Sequence, residues 1–179
     1  MKSLPCLTIL TVAVLVCWHC GASGQDRSAG LNFAYNEFSA TFQLPVREKE
    51  SLRLSVNLDM TRVIEGDYIY PGVSADAVYL FQIGRKDFLS GEAIRFFAGP
   101  GAVAGYVRNR RGQFGVMASL TGCVGFEYLF KVPVSFSLSL EPNLGIHLYR
   151  DRFGYMNMDF YEAGLIYSAF PHFGIRYWF

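Results

Sequence analysis

The chain has 179 residues, with 16 Lys and Arg against 15 Asp and Glu, and a formal net charge of +1. This balance gives no electrostatic argument for a nucleic-acid partner. Hydrophobic residues make up 51% of the chain and aromatic residues 16%, yet beyond the N-terminal stretch no apolar run approaches the roughly 18 to 20 residues of a membrane-spanning helix.

Residues 1–24 have the pattern of a secretory signal peptide. Lys2 precedes an apolar run that begins at Leu4 and ends near Trp18, and Ala22 and Gly24 occupy the two positions at which signal peptidase needs small residues. The run is too short for a membrane anchor. We therefore expect residues 25–179 to form one domain, in which Cys123 has no cysteine left to pair with.

Residues 29–46 alternate between apolar and polar side chains, but the alternation changes phase at Asn36 and Glu37. A change of phase indicates a turn or a bulge. The pattern favours two short strands, 29–35 and 38–46, joined by a tight turn. One long bulged strand is the alternative.

Six further segments carry apolar residues at every second position. They predict strands at 51–60, 73–84, 92–107, 114–130, 134–148 and 169–179. Pro100 cannot donate to a strand ladder, so we expect a bulge at 99–101. Residues 149–168 are predicted as a long loop, whose second half could extend the last strand.

Together these strands predict an all-β fold, a transmembrane antiparallel up-and-down β-barrel of eight strands with apolar residues outside and polar residues inside. An even number of strands returns the C-terminus to the side of the N-terminus. Short turns at 47–50, 85–91 and 131–133 then share one side, and longer loops at 61–72, 108–113 and 149–168 share the other. Outer-membrane barrels have this asymmetry.

The last eight residues carry the most specific motif. They read polar, any, Gly, any, any, aromatic, any, aromatic, with His172, Gly174, Tyr177 and Phe179 in the defined places. This run resembles the C-terminal assembly signal of bacterial outer-membrane β-barrel proteins. The resemblance implies a location in the cell outer membrane and recognition by the outer-membrane assembly machinery. As a pattern of strands, the chain is similar to the OmpX and OmpA transmembrane-barrel class.

That class includes adhesins, membrane-stabilising proteins and lipid-modifying enzymes, so the resemblance does not choose a function. We expect a monomeric outer-membrane protein without catalytic activity, either structural or presenting its loops to a partner. The alternatives are a lipid A or phospholipid-modifying enzyme and a narrow channel. Lipid A deacylases carry a Ser two residues after a His, but here Tyr149 and Gly174 follow His147 and His172. Asp76, Ser119 and His147 could converge, but no spacing supports a catalytic site, and no cofactor or metal motif is present.

Charged and titratable residues occupy many of the inward positions. They are Arg53, Asp59, Asp76, Arg95, Glu127, Glu141, His147, His172 and Arg176. An eight-stranded barrel is barely wide enough to be filled by its own side chains, which favours a plug of paired charges over a conducting pore. If the loop at 108–113 joins its two strands directly, Arg95 faces Glu127, and we predict that these two residues form a lumen charge pair.

Three arginines crowd the same loop. Arg108, Arg110 and Arg111 lie between the aromatic residues Tyr106 and Phe114. Guanidinium groups grip phosphate bidentately, so these arginines are candidates for a contact with lipopolysaccharide. A solvated turn whose charges merely end the strand is the alternative.

Overall fold

The structure is a computed structural model that describes residues 27–35, 37–60, 70–109, 112–151, 153–167 and 170–179. The predicted signal peptide, residues 1–24, lies outside the described residues. The described chain forms strands and one short helix, which are β1 (Ser28–Phe33), β2 (Glu37–Arg47), β3 (Glu50–Asp59), β4 (Gly72–Asp87), β5 (Ala93–Arg108), β6 (Phe114–Leu129), β7 (Val134–Leu140), β8 (Asn143–Arg150), β9 (Met156–Phe160), α1 (Glu162–Tyr167) and β10 (His172–Trp178). In these ranges no helix is long and apolar enough to cross a membrane.

Antiparallel pairing closes the strands into a barrel. From β1 to β6 each strand pairs with the next one along the chain, and β7 and β8 both pair with β6. The circuit closes because β9 pairs with β8, and β10 pairs with both β7 and β1. The wall therefore has eight strand positions, with β7 and β8 sharing the seventh, and β9 and β10 sharing the eighth. This confirms the predicted eight-stranded up-and-down barrel.

The pairing register sets the tilt of the strands. Each residue of a strand has a partner on the next strand, and the partners can be traced around the barrel from Leu31. In one direction, through β2, β3, β4 and β5, the trace reaches Ala118 on β6. In the other direction, through β10 and β7, it reaches Tyr128 on β6, ten residues farther along the strand. Such a stagger means that the strands tilt steeply, and a tilted barrel of eight strands leaves an interior that its own side chains can fill.

Alternation along each strand separates a polar inside from an apolar outside. In β3 every second side chain is polar and buried, namely Arg53, Ser55, Asn57 and Asp59. The side chains between them are apolar and exposed, namely Leu54, Val56 and Leu58. We call the end of the barrel that carries the short turns and both ends of the described chain the turn end, and the opposite end the loop end.

Residues 29–46 form two strands, as predicted, and not one bulged strand. β1 and β2 pair with each other, and the Ala34 amide donates to the Glu37 carbonyl at 2.8 Å. Ala34 and Glu37 are thus held together at the loop end, where β1 gives way to β2.

The predicted bulge at 99–101 is wrong. Pro100 pairs with Gly122 inside a continuous β5, with no shift of register. Pairing with β4 lapses instead at Tyr79 and Leu80, on the other side of β5, since proline has no N–H to donate. The register shift lies in β4 between Gln82 and Gly84, and that strand continues to Asp87, past its predicted end at 84.

The long loop predicted at 149–168 is also wrong. β8 continues to Arg150, and Met156–Phe160 returns along it as β9. The connection is short because the Asp151 carboxylate accepts the backbone N–H groups of Phe153 and Tyr155, both at 2.9 Å. Helix α1 follows β9, so the eighth strand position is interrupted rather than extended.

Candidate functional site in the barrel interior

An ionic cluster lies in the half of the lumen nearer the turn end. β5 and β6 place Arg95 directly opposite Glu127, and Arg95 Nη2 donates to Glu127 Oε2. A second guanidinium reaches the same carboxylate, because Arg176 on β10 donates from Nη1 to Glu127 Oε1 at 3.1 Å. Glu127 and Arg176 are both fully buried. One carboxylate thus serves two guanidinium groups, and the cluster carries a net charge of +1.

Ser135 and Trp178 hold this cluster in place. The Ser135 hydroxyl donates to Glu127 Oε1 at 2.5 Å and accepts the indole N–H of Trp178 at 2.8 Å. The guanidinium carbon of Arg95 lies 4.8 Å from the centre of the Trp178 ring, within cation–π range. The pattern of the sequence does not predict this arrangement, since β10 meets β7 only when the barrel closes.

A second ion pair crosses the whole width of the lumen. Arg53 Nη1 and Nη2 donate to the two carboxylate oxygens of Glu141 at 2.8 and 2.6 Å. Glu141 stands at the break between β7 and β8, four strand positions from β3 and so on the opposite wall. The Ser139 hydroxyl donates to the same carboxylate at 2.8 Å, and the Cys123 sulfur lies 3.7 Å from it. Bidentate pairs of this kind are strong and fix the geometry of both side chains.

Apolar side chains fill the space around the ion pairs. One cluster consists of Val78, Leu80, Phe97 and Cys123, and a second of Val103, Val107, Met117 and Tyr161. All eight side chains are buried. The interior is therefore a packed core of mixed character, and not the purely polar lumen that the sequence suggested.

His147 anchors helix α1 at the loop end. Its Nε2 lies 3.0 Å from the Val107 carbonyl oxygen, so this nitrogen carries the proton and donates. Its ring lies between those of Tyr149 and Tyr161, with centres 5.7 and 6.1 Å away. The Tyr161 amide donates to the Gly145 carbonyl at 2.9 Å. The chain is thus fixed to β8 at the point where α1 begins.

Beneath α1 lies a small interior cavity of about 40 Å³. Acidic residues and a histidine contribute to its lining, namely Glu37, Asp59, Asp76, Glu141 and His172. Within the part of the chain that the structure describes, no three His, Cys, Asp or Glu side chains are grouped to hold a metal ion. The loop-end half of the lumen is therefore acidic, whereas the Arg95–Glu127–Arg176 cluster gives the other half a positive charge.

The three residues that could have formed a catalytic group are engaged elsewhere. Asp76 accepts hydrogen bonds from Ser55 at 3.0 Å and from Asn57 at 2.8 Å. The Ser119 hydroxyl points to the sulfur of Met117, 3.2 Å away, and His147 bonds to a backbone carbonyl. Within the part of the chain that the structure describes, no hydrogen bond joins any two of these three side chains.

The residues of the predicted assembly signal divide between the two faces of β10. Tyr177 and Phe179 lie on the outer surface with their ring centres 6.4 Å apart. His172 faces the acidic cavity. Gly174 faces inward, where any Cβ atom would collide with the side chains of Asn32 and Ser137. Recognition by an assembly machinery stays a prediction.

Of the three arginines predicted to contact lipopolysaccharide, only Arg108 lies within the described residues. It is the last residue of β5 rather than part of the loop. Its side chain is buried, with the guanidinium carbon 4.1 Å from the centre of the Phe114 ring. The Tyr106 ring stacks on the same Phe114 ring, with the two ring centres 5.3 Å apart. Arg108 thus packs into an aromatic group at the loop end.

Comparison of the chain with protein-family models, with curated proteins and with solved structures finds no match. The fold and the chemistry of the interior are therefore the basis on which a function is argued.

Proposed function

We propose that this chain is an integral protein of the bacterial outer membrane that spans the bilayer as a closed barrel and has no catalytic activity. The observation that carries the proposal is the inverted distribution of its side chains. Arg53, Glu127 and His147 are completely buried, while the outer wall is apolar. Water would penalise so large an exposed apolar surface. Lipid accepts it, and a closed barrel leaves no unpaired strand edge in the bilayer.

Aromatic residues at both ends of the outer wall support the same proposal. At the turn end lie the ring pairs Phe42–Phe179, Phe88–Tyr128 and Tyr128–Phe130, and at the loop end lie Tyr35–Phe170 and Tyr106–Phe114. Aromatic girdles of this kind flank the apolar band of membrane barrels. Tyr128 also has a polar partner, because its hydroxyl bonds to Glu92 in the adjacent turn. That bond, with a second one from Ser90, lowers the pKa of the Glu92 carboxyl.

The filled lumen favours a structural or loop-presenting role over a narrow channel. The Arg53–Glu141 pair ties opposite walls together, and the Arg95–Glu127–Arg176 cluster occupies the next layer. Breaking a buried ion pair to open a path would cost several kcal/mol, about 3 to 5 by general experience. The proposed partners are outer-membrane lipid, lipopolysaccharide and the outer-membrane assembly machinery, and the proposed state is a monomer.

Fractionation of cells that express the full chain tests the proposed location. A folded barrel in the outer-membrane fraction should migrate differently in an electrophoresis gel before and after boiling. A chain found only in the soluble fraction would contradict the proposal. Lipid A profiles from cells with and without the gene should be identical by mass spectrometry, since a changed profile would mean that the protein is a lipid-modifying enzyme.

A further inference from the structure

A second, larger cavity opens at the turn end of the barrel. Its volume is about 420 Å³, within the range of roughly 300 to 1,000 Å³ that small-molecule sites occupy. Leu80 and Phe97 provide apolar lining, and Trp178 forms one wall. Gln43 and Arg95 provide polar groups. An apolar and aromatic lining with a few polar groups is the usual composition of a ligand site.

The electrostatics of this turn-end cavity favour an anion. Arg95 shares the Glu127 carboxylate with Arg176, so one positive charge in the cluster is not neutralised. Of these two arginines Arg95 lines the cavity, and its Nε has no hydrogen-bond partner among the described residues. Buried guanidinium groups with unused donors are costly unless an acceptor compensates them. The positive charges of Arg47 and Lys49 in the lining are matched by the negative charges of Glu48 and Glu50, so the charge that is not neutralised is that of the cluster.

Gln43 is a second polar residue in the lining of the cavity, on a different strand from Arg95. Its side chain is 3% exposed, and its amide nitrogen donates to the Ser51 hydroxyl at 2.7 Å. Its amide oxygen has no hydrogen-bond partner among the residues that the structure describes. Since a hydroxyl can donate as well as accept, a half-turn of the amide would keep the bond to Ser51 and present the NH₂ group to a ligand. Gln43 belongs to the lining of the cavity, so its unsatisfied amide is a candidate group to bond a ligand there.

We propose that the turn-end cavity binds a small organic oxyanion, a carboxylate or a phosphate. The anionic group lies against Arg95 and Gln43, and the carbon skeleton packs against Phe97 and the Trp178 ring. Binding at this cavity does not depend on where the protein is located, so it can fail or succeed separately from the proposed function.

Trp178 provides a direct spectroscopic readout. The chain has two tryptophans, and the other is Trp18, so Trp18→Phe in the full chain leaves Trp178 as the sole emitter. The folded protein in detergent is titrated with succinate, with inorganic phosphate, and with succinamide as a neutral probe of the same size as succinate. Succinate or phosphate should change the Trp178 emission saturably, and succinamide should not.

Two variants and a matched control identify the site. Arg95→Gln should weaken the apparent affinity about tenfold or more, since a charge-assisted contact is lost. It leaves Glu127 paired with Arg176, so the barrel keeps a neutralised carboxylate. Gln43→Leu should weaken binding without changing the charge. Arg150→Gln, which removes an exposed arginine at the loop end, should leave binding unchanged. Far-UV circular dichroism and gel migration check that each variant is folded.

Every outcome of the titration either supports or overturns the proposed anion site. Saturable binding of succinate alone, or of phosphate alone, supports the proposal and identifies the class of anion. The absence of any saturable change in Trp178 emission would overturn the proposal and would mean that the turn-end cavity holds only water. Equal responses to succinate and succinamide, or equal affinities of the Arg95→Gln and Arg150→Gln variants, would overturn it as well.

Discussion

Arg53 on β3 and Glu141 at the break between β7 and β8 face each other from opposite walls of the barrel and form a bidentate ion pair, with N–O distances of 2.8 and 2.6 Å. Arg53 is fully buried. The pair is therefore a tie across the lumen. It holds two opposite walls of the barrel at a fixed distance, and each of its two buried charges neutralises the other.

The first prediction concerns this tie. Arg53→Met and Glu141→Gln should each lower the free energy of unfolding by about 3 to 5 kcal/mol, because each leaves a buried charged partner or a broken network. The variant that carries both changes should lose less than the sum of the two. Urea unfolding in detergent measures all three. The exposed pair Arg85–Asp87 is the matched control, and its removal should cost at most about 1 kcal/mol. Additive losses for Arg53 and Glu141 would mean that the tie does not form.

The Glu127 carboxylate, which Arg95 and Arg176 share, gives a second prediction. It concerns which of two substitutions lowers the free energy of unfolding more. Glu127→Gln leaves two guanidinium groups without a counter-charge, whereas Arg95→Ala leaves Glu127 bonded to Arg176. Glu127→Gln should therefore destabilise the barrel more than Arg95→Ala, by about 1 kcal/mol or more. The same urea experiment compares them. If the two variants were equally stable, Arg176 would not share the carboxylate.

A third prediction tests the outward aromatic face of β10. Replacing Tyr177 and Phe179 with alanine should deplete the protein from the outer-membrane fraction, because these rings complete the motif that resembles an assembly signal. The inward change Ser137→Ala on the neighbouring strand is the control. Normal amounts of heat-modifiable barrel from the double variant would show that the motif is not needed.

Arg110 and Arg111 give a fourth prediction. Replacing both with glutamine should lower the amount of lipopolysaccharide that co-purifies with the barrel and weaken its salt-sensitive binding. Arg108 is left unchanged, because its side chain is buried against the Phe114 ring. Arg150→Gln serves as the control for the loss of one positive charge at the loop end. Equal lipid retention by the double variant and the native chain would leave the two arginines as a polar cap.

The alternation of side chains was enough to predict the barrel, since a period of two residues separates the inside from the outside on every strand. It also placed Arg95 opposite Glu127, because a short loop fixes the register of its two strands. It could not pair Arg53 with Glu141, or bring Arg176 to Glu127, because both contacts exist only once the ring has closed.

The departures in detail have local causes. The sequence does not predict β9, because the turn before it depends on the Asp151 carboxylate accepting two backbone N–H groups, and this contact has no signal in the sequence. Pro100 did not produce a bulge, because pairing with β4 lapses next to it instead. The sequence cannot predict the turn-end cavity, since Gln43, Arg95 and Trp178 come to it from three separate strands.

Whether the apolar wall faces lipid is tested most directly by the accessibility of spin labels. A nitroxide is attached to Leu120→Cys in the middle of the wall, or to Val132→Cys in a turn, in chains whose four native cysteines are replaced by serine and which are reconstituted in phospholipid vesicles. Both positions are well exposed, at 72% and 59%. The label at position 120 should be relaxed by molecular oxygen, which concentrates in the bilayer, and shielded from a water-soluble nickel chelate, while the label at 132 should show the reverse. Equal access of the nickel chelate to both positions would contradict a membrane-spanning barrel.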